Sequence, residues 1–198
     1  MDSKITKISL SIFTEFVGAP DPAQRLASVD KAKTRYRFLC DYWGLLRIGI
    51  QRKCSGLERD VLDLFWRKPD SKKIAAYISR AASFRQWETG HMLAWIGLFP
   101  PGLWTRNGLS VKVRPDLGLK IDGQDHAVKL YFKDDPPRER FRNAVLSLMK
   151  MTLPPLYQWT PALLDVPRGQ LITAERQIAG FDSILEDEAA AFIKLLIA

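Results

Sequence analysis

The chain has 198 residues, 46% of them hydrophobic and 26% charged, with a formal net charge of +8. That composition excludes a long disordered chain and implies one globular domain, or one domain with a helical extension. Two cysteines, Cys40 and Cys54, are too few for a disulfide framework or a zinc site, and no apolar run reaches the roughly 18–20 residues of a membrane span. With no secretory-signal layout at the N-terminus, the expectation is free thiols, a cytoplasmic location and no membrane partner.

Ile5–Phe16 reads as a strand or a short helix, because Ile8, Leu10 and Ile12 alternate. Asp21-Pro22 is a helix start, with Asp as N-cap and Pro in the first turn. From there Val29, Tyr36, Trp43 and Ile50 recur every seven residues, with Ala32, Leu39 and Leu46 on complementary positions, which predicts one long helix over about 22–53, bent near Gly44. Lys31, Lys33, Arg35 and Arg37 flank the stripe and should face solvent. Ser55-Gly56 separates a second helix, 57–67, and Pro69-Asp70-Ser71 opens a third, 71–88, with Ile74, Tyr77, Ile78, Ala81 and Phe84 inward. Trp87–Phe99 reads as a buried apolar stretch.

After Pro100-Pro101-Gly102 the texture becomes that of strands. Leu103–Arg106 precedes the Asn107-Gly108 turn, and Leu109–Ile121 and His126–Lys133 flank Asp122-Gly123. Pro136-Pro137 opens a helix to about Met151, carrying Phe141, Val145, Leu148 and Met149 inward. Pro161–Val166 is a buried strand, Gln170–Ile172 a continuation, and residues 174–197 an amphipathic helix on Ile178, Phe181, Leu185, Ala189, Phe192 and Leu196. The fold class is therefore α/β (α+β): a basic helical region over 1–70, then an αβββαβ core with a C-terminal helix over 71–198.

A two-residue type I′ turn at Asp122-Gly123 pairs residues whose numbers sum to 245. Leu119 then faces His126, Leu117 faces Val128, Pro115 faces Leu130 and Val113 faces Phe132, and these residues share a core face. The other face holds Lys112, Arg114, Asp116, Gly118 and Lys120 opposite Lys133, Tyr131, Lys129, Ala127 and Asp125. Asp116 lies across from Lys129, and Gly118 across from Ala127 leaves a shallow pocket beside that pair. Such a pair is either a cross-strand ion pair or the mark of a phosphate or metal site.

The order of elements, together with Pro115-Asp116 and a lysine thirteen residues later, resembles the restriction-endonuclease-like, PD-(D/E)xK nuclease superfamily over residues 71–167. The resemblance implies a nuclease fold in which Asp116 is a metal-binding carboxylate and Lys129 the lysine that orients the attacking water. The second acid of the pattern falls on Ala127. A relocated acid would be Asp125, on the same face, or Glu88, near the end of the preceding helix. Mg²⁺, or Mn²⁺, is implied only if the chain cleaves; binding alone requires no cofactor.

Charge is unevenly placed, with 14 basic against 5 acidic residues over Lys31–Arg85 and 2 against 5 from Leu171 onward. A basic half is the footprint of a nucleic-acid surface or a solvated helical face. Arg138 and Arg142 share one helix face at a helix N-terminus, where anions are favoured. Candidate DNA or RNA contacts are Lys112, Arg114, Lys133, Arg138, Arg142, Arg35 and Arg37. His91 and His126 read as structural. No serine elbow, Cys–His motif or phosphate-binding GxxxxGK[ST] loop is present. Three readings stay open: a nucleic-acid-associated protein that binds without cutting, a Mg²⁺-dependent nuclease with a relocated acid, and an adaptor that binds protein through its helices.

Overall fold

The computed structural model describes residues 5–34, 41–57, 71–154, 159–173 and 180–198. The N-terminal alternation resolves into both of its readings. β1 (Thr6–Ser9) runs directly into α1 (Leu10–Gly18), whose N-cap Ser9 accepts the Ile12 N–H at 3.4 Å. α2 (Pro22–Lys33) starts as expected, with Asp21 Oδ1 accepting the Gln24 N–H at 2.9 Å.

The single helix expected over 22–53 does not form. α2 stops at Lys33, where the Thr34 N–H and hydroxyl both turn back onto Asp30 O, and α3 (Gly44–Cys54) begins after Asp41 accepts the Trp43 N–H. The seven-residue stripe is divided between two cores: Val29 packs in one, while Trp43, Leu46 and Ile50 pack in the other. One straight helix cannot serve opposite faces of a sheet. Arg35, Tyr36, Arg37, Leu39 and Cys40, and the helix expected over 57–67, lie outside the described residues save for Leu57.

α4 (Ser71–Thr89) matches the expected 71–88 helix and buries Tyr77, Ala81 and Phe84, but Ile78 is exposed rather than inward. Trp87–Phe99 is not a buried stretch. It contains β2 (Leu93–Gly97), an edge strand with a register shift after Trp95, and Met92, Ile96 and Leu98 face outward. An edge strand has a neighbour on one side only, so only part of it is covered.

The strand expected over 109–121 breaks at Arg114-Pro115-Asp116. β3 (Gly102–Arg106) and β4 (Leu109–Val113) pair around Asn107-Gly108, both at positive φ, and join β1 in a three-stranded sheet in which β1 runs parallel to β4. β5 (Leu117–Ile121) belongs to a second sheet of order β2-β5-β6-β7-β8, with β6 (Gln124–Tyr131), β7 (Thr160–Asp165) and β8 (Gln170–Thr173). Proline cannot donate to a ladder, so Pro115 is where the chain can leave one sheet for the other. β2, β5 and β6 are antiparallel, and α5 (Glu139–Thr152) carries the chain to β7, which lies parallel to β6. α4-β2-β5-β6-α5-β7 is thus the expected αβββαβ order. Its first strand is β2, not Leu103–Arg106, and the β3–β4 hairpin is an insertion between its first and second strands.

From Leu117 to Ile121 the β5–β6 register is the expected one: Leu117 faces Val128, Gly118 faces Ala127, and Leu119 faces His126. The expected pairs Pro115–Leu130 and Val113–Phe132 do not form, because Val113 lies in the other sheet, opposite Gly102. Asp122 and Gly123 have φ of 49° and 88°, as a type I′ turn requires. The prediction about the second face fails. Both faces of this sheet are covered, so β7 buries Leu163 on one side and Ala162 and Leu164 on the other. α3 and α4 cover the first face. α1, α2, α5, α6 (Phe181–Ile197) and the small sheet cover the second, where Ala127 is fully buried. Gly118 lines a hollow of about 350 Å³ with Gly97, Phe99 and Trp159, but Asp116 and Lys129 are not on it, and a Cβ at Gly118 would lie 2.7 Å from Gly97 O and 3.0 Å from the Phe99 ring. Gly118→Ala is expected to cost about 1–3 kcal/mol by overpacking, read as a lower thermal midpoint with an unchanged circular dichroism spectrum; a midpoint equal to wild type would contradict this packing. No described helix is long and apolar enough to cross a membrane.

Candidate nucleic-acid interface

Asp116 follows the proline at the corner that feeds β5, which fixes its backbone on both sides. Its N–H donates to Val128 O at 2.8 Å, and its carbonyl accepts Gln51 Nε2 of α3 at 2.9 Å. The side chain turns onto β6. Oδ2 accepts the Leu130 N–H at 2.9 Å, Oδ1 accepts Lys129 Nζ at 3.0 Å, and Arg47 Nε of α3 lies 3.1 Å from the same oxygen. Asp116 is 5% exposed. Arg47 also pairs with Asp41 and lies over the Phe132 ring.

The structure therefore brings Asp116 and Lys129 together, as the register implied, and adds Arg47, Gln51 and Asp41. It does not bring the other two acids to them. Asp125 pairs with Lys120 at 2.9 Å, beside the hairpin turn, four residues along the ladder and so about 13 Å from the level of Asp116. Glu88 pairs with Lys53 of α3. Among the described residues, no group of three or more His, Cys, Asp or Glu side chains could hold a metal ion. A divalent magnesium-type ion needs several oxygen ligands. The corner offers Asp116 with both oxygens engaged, Asp41 already paired with Arg47, a methyl group at Ala127, and two cationic side chains against Asp116 Oδ1. These residues do not fit Mg²⁺ or Mn²⁺; the Arg47 guanidinium stands against the carboxylate as its counter-ion.

Lys129 and Arg47 also line a cavity of about 540 Å³ between α1, α3 and β6, together with Lys31, Lys133, Glu15 and Asp41. Glu15 bridges two lysines from different elements, Lys31 Nζ at 2.7 Å and Lys133 Nζ at 2.9 Å. Burial pushes its carboxyl up, but the charges and hydrogen bonds of Lys133 and Lys31 outweigh that and hold it below the usual carboxylate range. Ser9, Ile12 and Lys31 also line a second hollow of about 650 Å³ on the outer face of the small sheet, where Lys7 and Lys112 are the further cations and no acid is among the described lining residues. Register explains this placement. Lys7 and Ser9 alternate outward on β1 while Ile8 is buried, and they lie beside Ser110 and Lys112 of β4.

Of the expected nucleic-acid contacts, Lys112 and Lys133 lie on this groove. Arg114 is exposed at the corner before Pro115, Arg138 is exposed at the N-cap of α5, and Arg142 is half-buried one turn on; none of the three lines the groove. Arg35 and Arg37 are outside the described residues. Sequence reasoning missed Lys7, Lys31, Arg47 and Glu15. The outward alternation of Lys7 around Ile8 was a usable signal; nothing in the sequence ties Arg47 to Asp116.

Two other charged clusters are structural. Asp165, raised by burial against its Arg168 partner, is held by both oxygens at 3.0 Å in a network with Asp134 and Arg80. Glu188, 7% exposed, ties α6 to Arg25 of α2 and Arg140 of α5. His126 is buried with Nδ1 2.9 Å from Gln124 O, and His91 pairs with Asp122 at 2.7 Å. No protein-family model matches the chain, and no curated protein matches it significantly.

Proposed function

We propose that this protein binds nucleic acid, DNA or RNA, without cutting it, on a degenerate fold of the restriction-endonuclease-like type. The carrying observation is the state of Asp116: both carboxylate oxygens are engaged, by Lys129 and Arg47 on one and the Leu130 N–H on the other. Where a nuclease of the resembled family would set a metal between two acids, this chain sets its own guanidinium, Arg47, between Asp116 and Asp41. Hydrolysis by that route needs a metal to polarise the phosphate and generate hydroxide, and this donor set does not supply the ligands. The cations that remain useful are those of the groove. Lys7 of β1, Lys112 of β4, Lys31 of α2 and Lys133, just after β6, line two hollows that share Ser9, Ile12 and Lys31, a spread that suits a polyanion whose phosphates recur along its length.

The nuclease reading with a relocated acid gains nothing from the geometry, since Asp125 and Glu88 are paired elsewhere. The test is incubation of end-labelled single- and double-stranded DNA and RNA with the protein in Mg²⁺ and in Mn²⁺, each sample run on native and denaturing gels. The expected outcome is a retarded band on the native gel and full-length label on the denaturing gel. Metal-dependent shortening of the label that disappears with Asp116→Ala would overturn the non-cutting reading. Absence of any retarded band at low salt would overturn nucleic-acid binding itself.

A further inference from the structure

The cavity at the inner end of the groove has a shape that a passing phosphate backbone does not need. At about 540 Å³ it is within the size range of small-molecule sites, and it is walled by Tyr42, Trp43 and Phe141 as well as by cations. Trp43 is already stacked between Tyr77 and Phe132, with ring centroids 5.8 and 5.3 Å away, which holds this wall rigid. Tyr42, edge-on to Trp43 at 4.7 Å, is 38% exposed. The Lys31–Glu15–Lys133 bridge lines the same cavity. The two lysines are about half exposed, while Glu15 is three-quarters covered. A carboxylate between two ammonium groups occupies the place, and makes the charge-assisted contacts, of one face of a phosphate.

We propose that this cavity is a binding site for a phosphorylated nucleotide unit, either a free nucleoside monophosphate or the phosphorylated end of a strand. The phosphate takes Lys31 and Lys133 from Glu15, and the base lies against Tyr42 and Phe141. Glu15 is then an internal competitor, a carboxylate that the ligand displaces from the lysines. The proposal deepens the nucleic-acid reading, because it places one nucleotide of a bound strand, but it does not require that reading: a free mononucleotide would fill the same site.

The sign of one substitution separates this from a purely structural role. If Glu15 only held α1 to α2 and to the segment after β6, Glu15→Gln would loosen the cavity and weaken binding. If Glu15 competes, the same change leaves two lysines uncompensated and tightens it. The experiment is a calorimetric titration of wild type, Glu15→Gln and Lys133→Gln with adenosine monophosphate, adenosine and inorganic phosphate. Thermal unfolding of each variant identifies any that fails to fold. The expected result is that the monophosphate binds wild type, binds Glu15→Gln about three- to tenfold more tightly, and binds Lys133→Gln more weakly by a similar factor. Adenosine and phosphate should each bind more weakly than the monophosphate. Oligonucleotides with and without a 5′-phosphate, run in parallel, distinguish a strand end from a free nucleotide. Equal or weaker monophosphate binding by a folded Glu15→Gln, or no monophosphate binding by any variant, would overturn the proposal. Oligonucleotide binding that persists through Lys7 and Lys112 would then leave the broader function standing. Mononucleotide binding with no affinity for any oligonucleotide would instead remove the broader function and keep this site.

Discussion

Asp116→Ala is expected to destabilise the fold by about 3–5 kcal/mol, the cost of removing one partner from a buried ion pair, and to lower the thermal midpoint by on the order of 10 °C. The reason is what the carboxylate leaves behind. Its side chain is 7% exposed, Lys129's is 14% and Arg47's 19%, so Lys129 loses its carboxylate partner while Arg47 is left with Asp41. The Leu130 N–H, buried within the sheet, loses its acceptor as well. Asp116→Asn should fall between, since an amide oxygen still accepts one hydrogen bond but carries no charge. A metal-binding carboxylate predicts the opposite trend, because functional sites often hold groups at a cost to stability and their removal is neutral or stabilising. Chemical denaturation of the three proteins, read as midpoint at unchanged slope, decides between the two. A stability for Asp116→Ala equal to or above that of wild type would contradict the structural ion pair.

The second large effect belongs to the outer hollow. Lys7 and Lys112 project from neighbouring strands of the small sheet, on a wall whose described residues include no acid. The double substitution Lys7→Gln, Lys112→Gln is expected to reduce the slope of log affinity against log salt by about one for each phosphate no longer neutralised, hence by about two, and to weaken oligonucleotide binding on the order of tenfold at low salt. Both side chains are on the outer face and take no part in the core, so unfolding should move little. Arg114→Gln and Arg138→Gln, which lie off the groove, serve as comparisons of equal charge and should change the slope less. An equal effect from both pairs would mean that net charge, not this groove, governs binding.

How far the sequence could be read depended on whether the information was local. The β5–β6 register followed from two residues, Asp122 and Gly123, because a type I′ turn admits few others and every pair down the ladder is then set. The same register put Lys129 beside Asp116. The errors were non-local. The unbroken stripe from Val29 to Ile50 has a helical period throughout, yet its two ends serve cores on opposite sides of the large sheet, and period alone does not say which core a residue enters. Leu109–Ile121 has an unbroken strand texture, but the chain changes sheet at Pro115. The polar look of the Gly118–Ala127 face gave no hint that the inserted hairpin, α1 and α5 would cover it. Arg47 illustrates the limit best. It is far from Asp116 in sequence and became its partner only because α3 packs against that corner.

The lysines of the groove are expected to bind a polyanion that the protein does not cleave. The most direct measurement is fluorescence anisotropy of a labelled oligonucleotide titrated with the intact chain at a series of salt concentrations, with Mg²⁺ present and the probe recovered afterwards on a denaturing gel. Binding that weakens linearly in log salt with a slope of about −3 to −4, as four phosphate contacts would give, and a probe recovered at full length, is the result this structure leads us to expect. A salt-insensitive or absent signal, or a shortened probe, would contradict it.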